Sequence, residues 1–334
     1  MSDLRKDPIT GRWVIIASNR GQRPQEFQKT FQLQRSETCP FCPGQECQTP
    51  PEVRAIRDPE TRPDQPGWRV RVVPNRYPAL HPQGDGTLLR DGVFEWGPGC
   101  GVHEVIIETP RHGASVALQS VDDLRDVLTI YQERLLVHRN DTRLAYGLIF
   151  KNSGPQAGAS LEHSHAQFIA TPFIPTVVAE ELQGAHAYYR REQSCIFCDL
   201  VEQERQAQLR VVLESSGFVA FCPFASRFPF ETWVTPRRHV SHFEDSSPSD
   251  LGELADVLKT VLGKIESSVS EGSYNYVLHT APWREAAGPD YHWHLEILPR
   301  STGIAGFELG AGAYMNPLAP ESAARLLRDV ELPG

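Results

Sequence analysis

Two patterns of apolar and polar positions recur along this chain in the same order, twice. After Ser120 apolar residues fall at Leu124, Val127, Leu128 and Leu135; after Ser247 they fall at Leu251, Leu254, Leu258, Val261, Leu262 and Ile265. That spacing keeps one face of an α-helix apolar. Each run opens on S-x-x-D-L, where the serine can cap the helix and Asp123 or Asp250 supports its first turn. A strand-like run follows each helix, AYGLIF at 145–150 and YNYVLH at 274–279, and then a pair of histidines one residue apart: H-S-H-A-Q at 163–167 and H-W-H-L-E at 292–296.

The repeat extends upstream. C-P-F-C at 39–42 answers C-I-F-C at 195–198, and ETPRH, ending at His112, answers VTPRRH, ending at His239. His112 and His163 are 51 residues apart, His239 and His292 53 apart. The copies differ between the cysteines and these Thr-Pro histidines, 70 residues (42 to 112) against 41 (198 to 239), so the first carries an insertion of 29 in Pro/Gly-rich loops. The expected fold is therefore α+β: two similar halves, 1–190 and 191–334, each an antiparallel sheet packed with a long helix. Residues 176–193 read as a polar helix linking them, with Glu180 and Glu181 as solvated charges.

Each half thus offers two cysteines and two histidines. Cys39, Cys42, His112 and His163 form one set; Cys195, Cys198, His239 and His292 form the other. Thiolate and imidazole in fours suit tetrahedral zinc, two ions per chain. A lone C-x-x-C would fit redox chemistry as well, and it is the duplication that favours metal. His103 and His242 are rival ligands, while Cys47, Cys100 and Cys222 are expected to pack or sit in loops.

Composition narrows the function. At 334 residues, 40% hydrophobic and 22% charged, the chain reads as globular, and a net charge of −9 argues against a broad nucleic-acid surface. No apolar run approaches the roughly 20 residues of a membrane span, and MSDLRKDPIT lacks the core of a signal peptide, so the expected compartment is the cytoplasm.

On a strand His163, His165 and Gln167 share one face. With His163 on metal, His165 is a neutral imidazole held on rigid backbone, a competent nucleophile toward phosphorus in a phosphoanhydride. The Gln167 amide can donate to a phosphoryl oxygen but cannot act as a general acid, so the leaving group is one that needs no proton, such as a phosphate. Glu296, in the same place in the second copy, would repel phosphate oxygens, which marks the first half as the catalytic one and His294 as structural. The loop KNSGPQAGAS adds Asn152 and Ser160, and NRGQRPQEF adds Arg20 and Arg23, candidate phosphate contacts.

CPFC, TPRH, NSGPQAGASLEHSHAQ and YHWHLEILPR, in this order, resemble the galactose-1-phosphate uridylyltransferase family, a branch of the histidine-triad superfamily built from two such halves. The resemblance spans nearly the whole chain. It implies a ping-pong reaction in which UDP-glucose leaves a uridylyl group on His165 and galactose 1-phosphate takes it. It also implies phosphoryl contacts from Gln167 and Ser160, nucleotide contacts from Asn75 and Asn152, and a phosphate clamp from Arg20 and Arg23. GIAGFE implies sugar recognition by Phe307 and Glu308, reaching a neighbouring subunit in a homodimer. Two features depart from the family: Ser164 stands where proline is frequent, and no lysine immediately precedes GIAGFE. The alternatives are an ADP-sugar or dinucleoside polyphosphate phosphorylase on the same scaffold and, from another class, a non-catalytic zinc-stabilised binding module.

Overall fold

A computed structural model describes residues 3–16, 39–87, 89–269, 272–284, 288–301 and 303–332. The first half comprises β1 (Asp3–Lys6), β2 (Trp13–Ile16), β3 (Arg54–Arg57), β4 (Trp68–Pro74), β5 (Leu89–Asp91), β6 (Phe94–Trp96), β7 (Val102–Ile107), α1 (Val121–Arg139), β8 (Tyr146–Ser153) and β9 (His165–Thr171). Helices α2 (Thr176–Glu192) and α3 (Ile196–Ala207) lead into β10 (Val211–Glu214), β11 (Phe218–Phe221), β12 (Thr232–Pro236), α4 (Pro248–Ser268), β13 (Tyr274–His279) and β14 (His294–Pro299). The chain then forms α5 (Gly306–Ala311), β15 (Tyr314–Asn316) and α6 (Pro320–Asp329).

The duplication is visible in strand order. One ten-stranded sheet runs β10-β11-β12-β14-β13-β8-β9-β7-β4-β3, all antiparallel, so each half contributes five strands in mirrored order about the β13–β8 seam. The two expected sheets are joined edge to edge: Val277 faces Phe150 and Asn275 faces Asn152 across the seam. Each central edge satisfies the other's backbone groups, which would otherwise be open to association.

Helices α1 and α4 lie side by side on one face. Both begin with the capping box expected from S-x-x-D-L, Ser120 accepting from Asp123 N–H and Ser247 from Asp250 N–H. Leu124, Val127, Leu128, Leu135, Leu254, Leu258, Val261 and Leu262 meet Ile106, Ala166, Phe168, Val234, Leu295 and Ile297 of the sheet in one core.

The opposite face is covered unevenly. Over the second half lie α2 and α3, where Val178, Leu182, Ile196, Phe197 and Val201 pack on Tyr146, Phe221, Trp233 and Tyr291. The β1–β2 turn presses on α2 so closely that a Cβ on Gly184 would sit 1.8 Å from the Ile9 carbonyl oxygen. Over the first half, among the described residues, lies a small cluster of Cys39, Phe41, Ala55, Trp68, Val73, Val105 and Ile107. A cleft stays open beside it.

Candidate active site and metal centres

The C-x-x-C at the head of the first half returns to the sheet beside His163. Cys39, Cys42, His112 and His163 each present one donor atom, all within 4.8 Å of one another, as do Cys195, Cys198, His239 and His292. Sγ-to-Nδ1 distances are 3.7 Å for Cys39–His163, 3.4 Å for Cys42–His112 and 3.6 Å for Cys42–His163. In the second set they are 3.4 Å for Cys198–His239 and 3.5 Å for Cys198–His292. Two ligands of a tetrahedral zinc, one sulfur and one nitrogen, stand about 3.6 Å apart given the usual bond lengths. Both sets therefore fit such an ion. His163 is also turned for it: its Nε2–H donates to the Thr109 carbonyl at 2.7 Å, which leaves the Nδ1 lone pair facing the thiolates.

His165 opens β9, two residues on. Its Nδ1–H donates to the His163 carbonyl at 2.8 Å, so the lone pair is on Nε2. Burial holds its pKa below the ordinary imidazole value against that bond, which keeps the ring neutral. Phe41 packs edge-on against both rings, 6.1 Å from His163 and 5.3 Å from His165. On the opposite face, Lys151 Nζ donates to the His165 carbonyl at 3.2 Å and to Ser164 Oγ at 2.9 Å, and is ion-paired with Glu108. Glu108 also accepts from Ser164 at 2.7 Å, Tyr131 at 2.6 Å and Tyr276 at 3.1 Å. Against the penalty of burial, the Lys151 charge holds the Glu108 carboxyl below its ordinary range. Ser164 thus does something proline could not: its hydroxyl ties the strand carrying His165 to both halves of the molecule.

His165 and Gln167 line a cleft of about 300 Å³ with Phe41, Asn75, Val105 and Ser160 among its walls. Other expected contacts lie elsewhere. Asn152 stands at the seam, accepting from Asn275 Nδ2 at 2.7 Å. Gly154 lets the same loop approach β13, with φ of +82° and no room for a Cβ beside Ser273. Phe307 is exposed on α5 and Glu308 caps it through Ala305 N–H at 3.1 Å; neither lines the cleft of its own chain. Arg20 and Arg23 fall outside the described residues. His103, considered as a metal ligand, is in neither Cys/His set and instead contacts Gln167, Nε2 to Oε1, at 2.9 Å. Its signal was alternation: on β7, His103, Val105 and Ile107 face the same way as Gln167 and His165 beside them.

One expectation fails on α2. Glu180 is exposed, but Glu181 is 3% exposed and accepts from His279 Nδ1 at 3.1 Å and Tyr291 OH at 3.1 Å. The helix lies across the second half, so this carboxylate points inward. Glu181, His279, His294 and Glu296 also bring one potential ligand atom each within 4.8 Å of one another. Their charges are already matched: Arg227 bonds Glu296 at 2.6 Å and Glu231 at 3.0 Å, and, despite desolvation, Glu181 raises the His279 pKa. Against desolvation, Arg227 and His279 hold the Glu296 carboxyl down at about 2.

The family model of galactose-1-phosphate uridyl transferase, N-terminal domain, matches residues 1–175, and that of the C-terminal domain matches residues 181–333. The chain belongs to the galactose-1-phosphate uridylyltransferase family. Among the family's members it is 29% identical to a galactose-1-phosphate uridylyltransferase of Thermotoga maritima, covering 99% of each chain. It is 37% identical to an ADP-glucose phosphorylase of Arabidopsis thaliana, covering 99% of this chain and 93% of that one. The crystal structure of an Arabidopsis thaliana ADP-glucose phosphorylase with bound ADP-glucose superposes with a TM-score of 0.85 at 36% identity, covering 99% of this chain and all (100%) of that one. A uridylyltransferase structure does so with a TM-score of 0.76 at 30% identity, covering 98% of both chains. The α+β fold is that of these enzymes, and no described helix is long and apolar enough to cross a membrane.

Proposed function

We propose that the chain is a nucleotidyltransferase whose first half, 1–190, is catalytic and whose second, 191–334, is a degenerate copy. The observation that carries this reading is the open cleft in which His165 and Gln167 stand together. Nε2 of His165 attacks the α-phosphorus of UDP-glucose, the bond to the β-phosphate oxygen breaks, and glucose 1-phosphate leaves without needing a proton. The Gln167 amide donates to the phosphoryl oxygen as charge builds there. Galactose 1-phosphate then attacks the uridylyl-histidine and departs as UDP-galactose, freeing His165. Asn75 and Ser160 hold the nucleotide and phosphates, with Arg20 and Arg23 as a clamp. Phe307 and Glu308 serve the active site of a second copy in a homodimer, which accounts for their distance from their own.

Zinc fits both Cys₂His₂ sets, two ions per chain. It takes no part in the transfer; it fixes His163, whose carbonyl sets the tautomer of His165. Metal analysis should find about two zinc per chain, as expected of two closed four-ligand sites, and a value of one or none removes a site.

A second reading, ADP-glucose with inorganic phosphate as acceptor, is favoured by the 37% identity to an ADP-glucose phosphorylase. It keeps every role of His165 and Gln167 and changes only the base and the acceptor. The test offers UDP-glucose and ADP-glucose, each with galactose 1-phosphate and with phosphate. Turnover of the first pair supports uridylyl transfer and turnover of ADP-glucose with phosphate supports the second reading. Absence of an acid-labile, base-stable nucleotidyl label with both donors ends both.

A further inference from the structure

His103 has no role in the reaction just proposed, yet it touches two of the cleft's amides. Its Nδ1 lies 3.1 Å from the backbone nitrogen of Ala79. A peptide N–H can only donate, so Nδ1 is the acceptor and the proton of the neutral ring is on Nε2. That Nε2 is 2.9 Å from Gln167 Oε1 and 3.1 Å from Asn75 Nδ2. Of the two, only the oxygen can take the proton. If the Gln167 amide were reversed, its NH₂ would meet the ring N–H, donor against donor. Asn75 is oriented by a different bond, its Oδ1 accepting from Tyr77 N–H at 2.9 Å.

We infer that His103 is a positioning residue: as the Nε2–H tautomer it locks the Gln167 amide so that its NH₂ group is offered to the phosphoryl group in the cleft. An unfixed carboxamide has two nearly isosteric orientations, and in one of them the cleft meets a carbonyl oxygen that repels phosphate. The single ring proton removes that orientation. The functional consequence rests on the proposed nucleotidyl transfer; the tautomer rests on geometry alone.

Two measurements test the inference separately. In protein labelled with ¹⁵N-histidine, the His103 ring should carry its proton on Nε2; a proton on Nδ1 overturns the inference whether or not the chain turns over any nucleotide. In single-turnover labelling with UDP-glucose and with ADP-glucose, His103→Leu should slow nucleotidyl-enzyme formation about tenfold or more, the scale of a misplaced oxyanion donor, with donor KM little changed. His103→Gln should restore most of the rate, because its Nε2 reaches nearly the position of the ring Nε2. In a Gln167→Ala background His103→Leu should add no further slowing. Wild-type rates in His103→Leu, or equal slowing with and without Gln167, would refute the positioning role. A wild-type protein that takes no label from either donor refutes the nucleotidyl-transfer reading instead, and leaves the tautomer to the spectrum.

Discussion

Gln167 pairs with Val105 across β9 and β7, and Glu296 pairs with Trp233 across β14 and β12. In this register His165 and His294 are equivalents, as are Phe41 and Phe197 within the C-x-x-C segments, and His103 and Glu231. Both histidines donate from Nδ1 to the carbonyl of a metal-set histidine, at 2.8 Å and 3.2 Å. Their surroundings then diverge. Beside His165 the small Val105 leaves a cleft of about 300 Å³, whereas Trp233, Glu231 and Glu296 line a void of about 10 Å³, closed by the β1–β2 turn and α2. His294 is wholly buried, stacked on Trp233 at 4.7 Å, His279 at 4.8 Å and Phe197 at 5.1 Å. Burial holds it neutral, at about 4. One framework thus leaves an imidazole open to a cleft where the facing residues are Val105 and Gln167, and makes a core residue of its counterpart where an indole and an Arg–Glu network replace them.

The largest expected difference between the halves is in the equivalent histidines. His165→Asn should lower turnover by at least about 10⁴-fold, as removal of an enzyme nucleophile does, and abolish the nucleotidyl label. His294→Asn should keep most of the activity and lower the melting temperature instead. A His165→Asn protein that still labels, or a folded His294→Asn protein that does not, would reverse the assignment of the halves.

Next in size is the network that fills the second half. Arg227→Met leaves Glu231 and Glu296 buried without their guanidinium, a loss of about 3–5 kcal/mol for breaking a buried ion pair. Urea denaturation should show that loss, and an unchanged midpoint would mean the network holds nothing together.

Gln167→Glu gives the first half the second half's residue. The carboxylate can still accept from His103 but meets phosphoryl oxygens with like charge and has no NH₂ to donate. A loss of about 10²–10³ in kcat is expected, the cost of one oxyanion donor, with little change in stability. If the variant remains within a few-fold of wild type, the glutamine–glutamate difference does not distinguish the halves.

What the sequence disclosed follows from what is local or repeated. The helix caps and the apolar faces of α1 and α4 are written in short spacings, because i, i+3 periodicity needs no knowledge of the rest of the fold. The two Cys/His sets, though spread over a hundred positions or nearly so, could be assembled because the same motifs recur in the same order in both halves. The joined sheet was not legible: Asn275 meets Asn152 only because two edges 123 positions apart in sequence pair, and nothing near either residue says so. Glu181 misled for the same reason. A glutamate on a helix of polar appearance reads as solvated until the sheet on which the helix lies, with His279 and Tyr291, is known. Trp233 and Val105 are equally apolar on paper, and only the third dimension makes one a plug and the other the wall of a cleft.

The smallest effect should be the one on which the halves agree. Ser120 and Ser247 each accept from the N–H of an aspartate three residues on, at 3.1 Å and 3.2 Å, and each backbone N–H is answered by that aspartate's side chain. These caps begin α1 and α4, on the face of the sheet away from both imidazoles, where the halves share one core. Substituting either serine by alanine removes one bond at a helix terminus, about 1 kcal/mol, and should leave labelling of His165 unchanged. The two losses should match within error and add in the double variant, since the caps share no partner. A markedly larger loss at Ser120 would tie the cleft to helix α1, and the asymmetry between the halves would then extend through the sheet to the side on which they look alike.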